Sequence, residues 1–249
     1  MQIGIVAHHT RADMAHDLVT RLEAEVCLVD QYGPGSLQDG VRRCSFNHLK
    51  VLSELQALAA NDEWCVVLED DSIPVPGFRT HAARALECAP SPLVGFYLGQ
   101  GIPSGIVQRN IRQALDDAQA WIVADCFLTS VGYAIKASLV GDLISDAERR
   151  NSEIPMRITR WSHERDILIS YTNPSLVDHS DTDSVICAGV PLADRGTLPR
   201  VAWSHGTRNN WNTPAVRLGH CPNWSPEKTA MNLLEDTSHG FAEVLKQSF

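Results

Sequence analysis

Between residues 2 and 98, short β-branched and aliphatic runs take turns with amphipathic stretches of helical period. That alternation confines the chain to an α/β architecture. Gln2 to Ala7 predicts a strand. Arg11 to Ala24 predicts a helix with Met14, Leu18 and Leu22 on one face. Glu25 to Val29 predicts a second strand, closed by Asp30 and the turn-rich QYGPGS. Ser45 to Ala59 predicts a helix striped by Leu49, Leu52, Leu55 and Leu58. Trp64 to Leu68 is too short and too β-branched for a helix and predicts a buried strand. Gly77 to Cys88 follows as a short helix, and Leu93 to Leu98 as another strand. The expected fold is a mostly parallel sheet with helices on both faces.

Beyond residue 98 the pattern predicts a helix near 107–119, strands near 121–124 and 131–136, and helices near 138–149 and 161–170. From Asn173 onward Pro, Gly, Asp and Ser are frequent, which predicts a loop-rich tail with one terminal helix within 226–247. The expected organisation is a principal domain over 1–185 and a loop-rich extension, 186–249, packed on it. The chain carries no internal repeat and no low-complexity tract.

Hydrophobic residues at 44% and charged residues at 20% are ordinary for a globular protein. No apolar run approaches a membrane span, and MQIGIVAHHT lacks the basic start and apolar core of a signal peptide. A cytoplasmic protein without membrane contact is therefore expected. The seven cysteines are scattered without any CxxC, which favours reduced thiols over a disulfide frame or a zinc knuckle. The net charge of −9 argues against polyanion partners, but its distribution is uneven. Residues 149–217 hold nine arginines and no lysine against seven acids, while 1–148 hold 10 basic residues against 19 acids.

The sharpest chemical signal is CVVLEDDSIPVPGF, where a strand runs into Glu69, Asp70 and Asp71. Three adjacent carboxylates repel one another unless a cation or strong donors sit among them. In open α/β sheets, ligands bind beyond the carboxyl ends of the strands. His8, His9, Thr10 and Arg11 follow the first strand, and Asp30 ends the second. Three polar clusters on one edge predict a crevice. Hard cations such as Mg²⁺ or Mn²⁺ take one or two carboxylates together with substrate phosphates, and EDD at a strand end suits them.

Those residues carry a resemblance. CSFNHLKVLSEL followed by CVVLEDDSIPVPGF is similar to the pattern of lipopolysaccharide-type family 25 glycosyltransferases, in which a Ser-His helix precedes a strand ending in EDD. SVGYAIKASLVGDLI resembles the next strand and helix of that group. NPSLVDHSDTDS resembles a Pro-Ser-Leu, His, Ser stretch of several GT-A enzymes, although VDH stands where relatives often have a Gln before the His. The resemblance covers roughly residues 1–185. It implies a GT-A-like, Rossmann-type fold and a nucleotide-sugar donor, a UDP-sugar first among them. It implies Mn²⁺ or Mg²⁺ held by Asp71 and His179, with Glu69 and Asp70 reaching the ribose, the sugar or the metal's waters. Thr10, Arg11 and Asp30 lie where that fold holds the nucleoside. Asp166, or Glu164 beside it, falls where similar enzymes carry an acid able to take the acceptor's proton.

Other side chains have weaker claims. His205 competes with His179 for the metal. His48 reads as a structural histidine on a packed helix, and Trp203 and Trp211 suit either stacking on a ligand or packing. The acceptor is either a saccharide or a hydroxymethylated pyrimidine in DNA, as in some phage enzymes. Nucleic acid is suggested by five arginines within 149–165 and four more interleaved with Trp203 and Trp211, since arginine forks grip phosphates. Two other functions use the same residues: a metal-dependent hydrolase or nucleotidyltransferase, and a catalytically silent nucleotide-sugar binder.

Overall fold

A computed structural model describes residues 1–31, 37–100, 119–150, 152–180 and 200–217. The chain opens with β1 (Gln2–His8), a 3-10 turn (His9–Arg11), α1 (Ala12–Leu22), β2 (Val26–Asp30), α2 (Leu37–Leu58), β3 (Trp64–Glu69), β4 (Ser72–Pro74) and α3 (Phe78–Glu87). It continues with β5 (Leu93–Gly95), β6 (Trp121–Ala124), β7 (Gly132–Lys136), α4 (Ala137–Ala147), α5 (Ile154–His163), β8 (Ile169–Thr172), β9 (Val177–His179) and β10 (Ala215–Arg217). The main sheet has the order β10-β6-β8-β5-β7-β3-β1-β2, and β4 pairs with β9 in a separate ribbon. Four of the seven pairings in the main sheet are parallel and three antiparallel. The expected α/β class, with a sheet between helices, is what the chain forms.

Strand alternation divides the core into two layers. Ile3, Ile5, Ala7, Trp64, Val66 and Leu68 face α1 and α3, where Ala15, Leu18, Leu22, Phe78 and Ala82 are buried. Val6, Cys65 and Val67 face α2, α4 and α5, against Leu49, Leu52, Leu55, Val140 and Ile158. Two residues of the predicted helical stripes fall outside these layers. Met14 is 39% exposed while Ala15 takes its place, and Leu58 at the end of α2 is 55% exposed.

Three differences from the sequence expectations bear on the site. Helix α2 begins at Leu37, eight residues early. The helix expected over 161–170 is instead α5, ending at His163, followed by the strand β8. Asp166 at φ 52 breaks the helical path between them. Strands β9 and β10 form where loops were expected. Residues 200–217, beyond position 185, fold onto the same body: β10 pairs with β6, and Ala202 bridges Gly99. The helices expected near 107–119 and within 226–247 lie almost wholly outside the described residues. Cys27, Cys44, Cys65, Cys88 and Cys126 are free thiols, whereas Cys187 and Cys221 lie outside. No helix among the described residues is long and apolar enough to cross a membrane.

The arginine run of 149–165 braces α4 against α5. Arg149 and Arg150 both bind the buried Asp146, and Arg150 reaches on to Glu164. Arg157 donates to the carbonyls of Ala147 and Ser152. Arg160 pairs with Glu164, and Arg165 with Asp142.

Candidate functional site

Strand period two decides the surroundings of the three acids. Glu69 continues the face of Cys65 and Val67 and meets α2, whereas Asp70 turns to the opposite face and meets the end of β1. The Ser130 hydroxyl donates to Glu69 Oε1 at 2.6 Å, and His48 Nε2 stands 3.2 Å from the same oxygen. His48 is fully buried, with Tyr133 Oη 3.4 Å from its Nδ1. Burial pushes Glu69 up, but His48 and Ser130 outweigh it and hold the carboxyl below its usual range.

Asp70 is 6% exposed. Its Oδ2 accepts the His8 backbone N–H at 2.7 Å, and its Oδ1 accepts Arg11 Nη1 at 3.1 Å. Burial, joined by the Asp71 charge, outweighs these donors and pushes Asp70 up to about 6. Asp71 is 4% exposed, and its Oδ2 accepts the same Arg11 Nη1 at 2.5 Å. Against that oxygen, at 3.4 Å, stands His179 Nε2. Asp71 Oδ1 and His179 Nδ1 are both buried without a hydrogen-bond partner.

Pairing of β9 with β4 delivers His179. Ser72 and His179 are register partners, and the Ser180 N–H donates to the Asp71 carbonyl at 3.0 Å. Asp178 Oδ1 accepts the N–H of His179 at 2.8 Å and that of Ala202 at 2.6 Å. One carboxylate thus ties the histidine's peptide to the returning segment 200–206. The Tyr97 hydroxyl adds a bond to the Arg200 carbonyl at 2.6 Å, and its ring lies 6.0 Å from that of His179.

The same edge carries the residues expected for the nucleoside. His8 and Asp30 are register partners at the ends of β1 and β2. His8 Nδ1 lies 2.8 Å from the Thr10 hydroxyl, and its ring is 4.2 Å from that of His9. Burial, reinforced by His9 and Arg11, lowers the His8 pKa. Buried Asn47, on α2, donates to the carbonyls of Leu28 and Ala7 and steadies both strand ends.

Thr10, Arg11, Asp30, Glu69, Asp70, Asp71 and His179 therefore gather at one edge. Asp166 and Glu164 do not. They stand on the connection into the N-terminal end of β8, a strand running in the same sense as β3, whereas the acids leave β3 at its C-terminal end. Glu164 is taken up by Arg150 and Arg160. His205 is exposed beside Ser175. Trp211 is buried with its ring 5.3 Å from that of Trp121, and Trp203 packs on the core, so both indoles serve packing. His48, expected to be structural, stands against Glu69. Ser130, Tyr133 and Asp178 belong to no sequence motif that marks them as candidates. Strand alternation, which puts Glu69 on the α2 face, was the signal for the first two.

The donor set suits a hard divalent cation as a partial site. Asp71 and His179 supply a carboxylate and an imidazole, each with a buried atom left unsatisfied. Among the described residues no group of three or more His, Cys, Asp or Glu is arranged to hold a metal. The remaining positions would fall to phosphate oxygens and water.

No protein-family model and no curated protein matches the chain. Among solved structures it is similar to a protein from STIV, at 11% identity and TM-score 0.44, over 88% of this chain and 99% of that one. It is similar to a glycosyltransferase involved in the glycosylation of the major capsid of PBCV-1, at 9% identity and TM-score 0.29, over 58% and 66% of the two chains. It is also similar to mouse xyloside xylosyltransferase 1, at 8% identity and TM-score 0.33, over 66% and 82%. Likenesses this distant carry no functional argument.

Proposed function

We propose that the chain is a metal-dependent glycosyltransferase that moves a sugar from a nucleoside diphosphate, UDP in the first instance, to an acceptor hydroxyl. The observation that carries this is the meeting of Asp71 and His179 at 3.4 Å, at the edge where Thr10, Arg11 and Asp30 also stand. In this proposal Asp71 and His179 hold Mn²⁺ or Mg²⁺. When bound, the cation offsets charge on the departing nucleoside diphosphate. Asp30 and Thr10 face the nucleoside. Arg11, a planar fork suited to phosphate, serves the diphosphate. Glu69, fixed by Ser130 and His48, stays ionised and accepts hydrogen bonds from sugar hydroxyls. Asp166 and Glu164 have no part in the proposed reaction, because no described contact brings them to this edge.

The acceptor hydroxyl belongs to a saccharide or to a hydroxymethylated pyrimidine in DNA. Nucleic acid has less support than the charge pattern suggests, since Arg150 and Arg157 are taken up by acids and carbonyls of the protein itself, while Arg149 and Arg160 keep exposed heads beside their acids.

The test is mass spectrometry of products from a panel of UDP-sugars and acceptors, with Mn²⁺ present or chelated. Metal-dependent addition of one sugar to an acceptor supports the proposal. Sugar released only into water identifies a hydrolase, and transfer of the nucleotide identifies a nucleotidyltransferase. Metal-linked nucleotide binding without turnover identifies a silent binder. Labelling of DNA that weakens steeply with added salt would restore the nucleic-acid acceptor.

A further inference from the structure

We infer that Arg11 is the site's resident cation, keeping the divalent metal out until a nucleoside diphosphate draws the guanidinium away. The inference rests on Asp71 and His179 being the metal's protein ligands.

A single nitrogen, Arg11 Nη1, bonds to Asp70 Oδ1 and Asp71 Oδ2 at once. The three are closed in together: the side chain alone is 13% exposed in Arg11, 7% in Asp70 and 6% in Asp71. The oxygen Arg11 holds most closely, Asp71 Oδ2, is also the one facing His179. A divalent ion bridging Asp71 and His179 would therefore stand beside the guanidinium. At that separation two cations in a poorly solvated pocket repel strongly. Asp71 Oδ1, buried and unpartnered, shows that Arg11 satisfies only part of that carboxylate. The carboxylates are prepared for more positive charge than they hold, yet cannot take it while Arg11 remains.

A diphosphate resolves the conflict. It offers oxygens to both the metal and the guanidinium, and the β1 end is where an α/β sheet receives such a group. Arg11 would pass from carboxylates to phosphate as the metal takes its place beside Asp71. Metal and nucleotide would then favour one another reciprocally. A diphosphate that merely completes the metal's coordination also couples the two ligands, but in that case removing Arg11 leaves the affinity for metal alone unchanged. Here removal should raise it.

The experiment titrates Mn²⁺ into wild type, Arg11→Gln, Arg11→Lys and Asp71→Asn, following free Mn²⁺ by its electron paramagnetic resonance, with and without UDP. Arg11→Gln is expected to bind Mn²⁺ alone on the order of tenfold more tightly than wild type, with the enhancement by UDP correspondingly reduced. Arg11→Lys, which keeps the charge on a shorter side chain with a more strongly hydrated head and so sits less closely between the two carboxylates, should fall between. If both variants bind Mn²⁺ alone no better than wild type while UDP-dependent binding at Asp71 persists, the inference is overturned and the metal site stands. If no protein takes up Mn²⁺ even with UDP, or Asp71→Asn binds as wild type does, the metal site itself is wrong and the inference falls with it. Should Arg11→Gln fail to fold, Arg11→Lys decides: tighter binding than wild type supports the inference, and equal binding overturns it.

Discussion

Glu69 and Asp70 are adjacent carboxyls pushed in opposite directions, because one faces His48 and Ser130 while the other is buried beside another acid. For Asp70 the folded value, about 6, lies above its ordinary 3.8. The folded protein holds this proton longer than the unfolded chain, so stability falls as pH rises from about 4 to about 6. Above that window the full cost of a buried charge is present. Asp70→Asn should flatten this part of the profile in metal-free protein, as read by urea unfolding at each pH. Asp71→Asn is expected to abolish metal-linked UDP binding while the melting temperature holds or rises, since removing one of three clustered acids relieves repulsion. Calorimetric binding with a parallel thermal melt checks both halves. A variant that melts early, or binds normally, would count against Asp71 as a ligand.

At the scale of elements, the site depends on two short strands that meet only because other segments hold them. Pairing of β4 with β9 brings His179 to Asp71, and Asp178 fastens that pairing to Ala202. Asp178→Ala would leave two N–H groups without their acceptor and should cost about 1–3 kcal/mol. It should also raise the Mn²⁺ concentration needed for UDP binding, which an unrelated destabilising change would leave alone. Gly95 on β5 tests the neighbouring pairing with β8. A Cβ there would come within 2.5 Å of the Tyr171 ring, so Gly95→Ala should cost about 1–3 kcal/mol in denaturant unfolding.

For the whole molecule, uneven charge serves internal bracing. Asp146 is almost wholly buried and takes both Arg149 and Arg150, so Arg150→Ala should cost roughly 2–3 kcal/mol by leaving a buried acid under-paired. The same substitution should leave the salt dependence of any DNA binding unchanged. If that dependence drops by about one phosphate contact, the arginine run faces nucleic acid after all.

What the sequence determined by itself is local in origin. Alternating strand and helix patterns announced the α/β class, and an apolar strand running into three acids marked the candidate edge, because periodicity and strand ends are written in neighbouring residues. The resemblance pointed to Asp71 and His179 as ligands of one metal, without the geometry that would bring them together. Their contact, the pairing of His48 with Glu69 and the grip of Arg11 on two carboxylates were decided by tertiary structure, across separations of 60 residues for Arg11 and Asp71. Strands β4, β9 and β10 have three residues each, too few to show a period, and they form only beside partners supplied from elsewhere in the chain. The segment ILISYT, most of it expected in a helix over 161–170, forms a strand because Asp166 turns the backbone and β5 and β6 offer it hydrogen bonds. Asp166 and Glu164 stand away from that edge, which the sequence could not show for the same reason: no local pattern tells which end of a sheet a connection reaches.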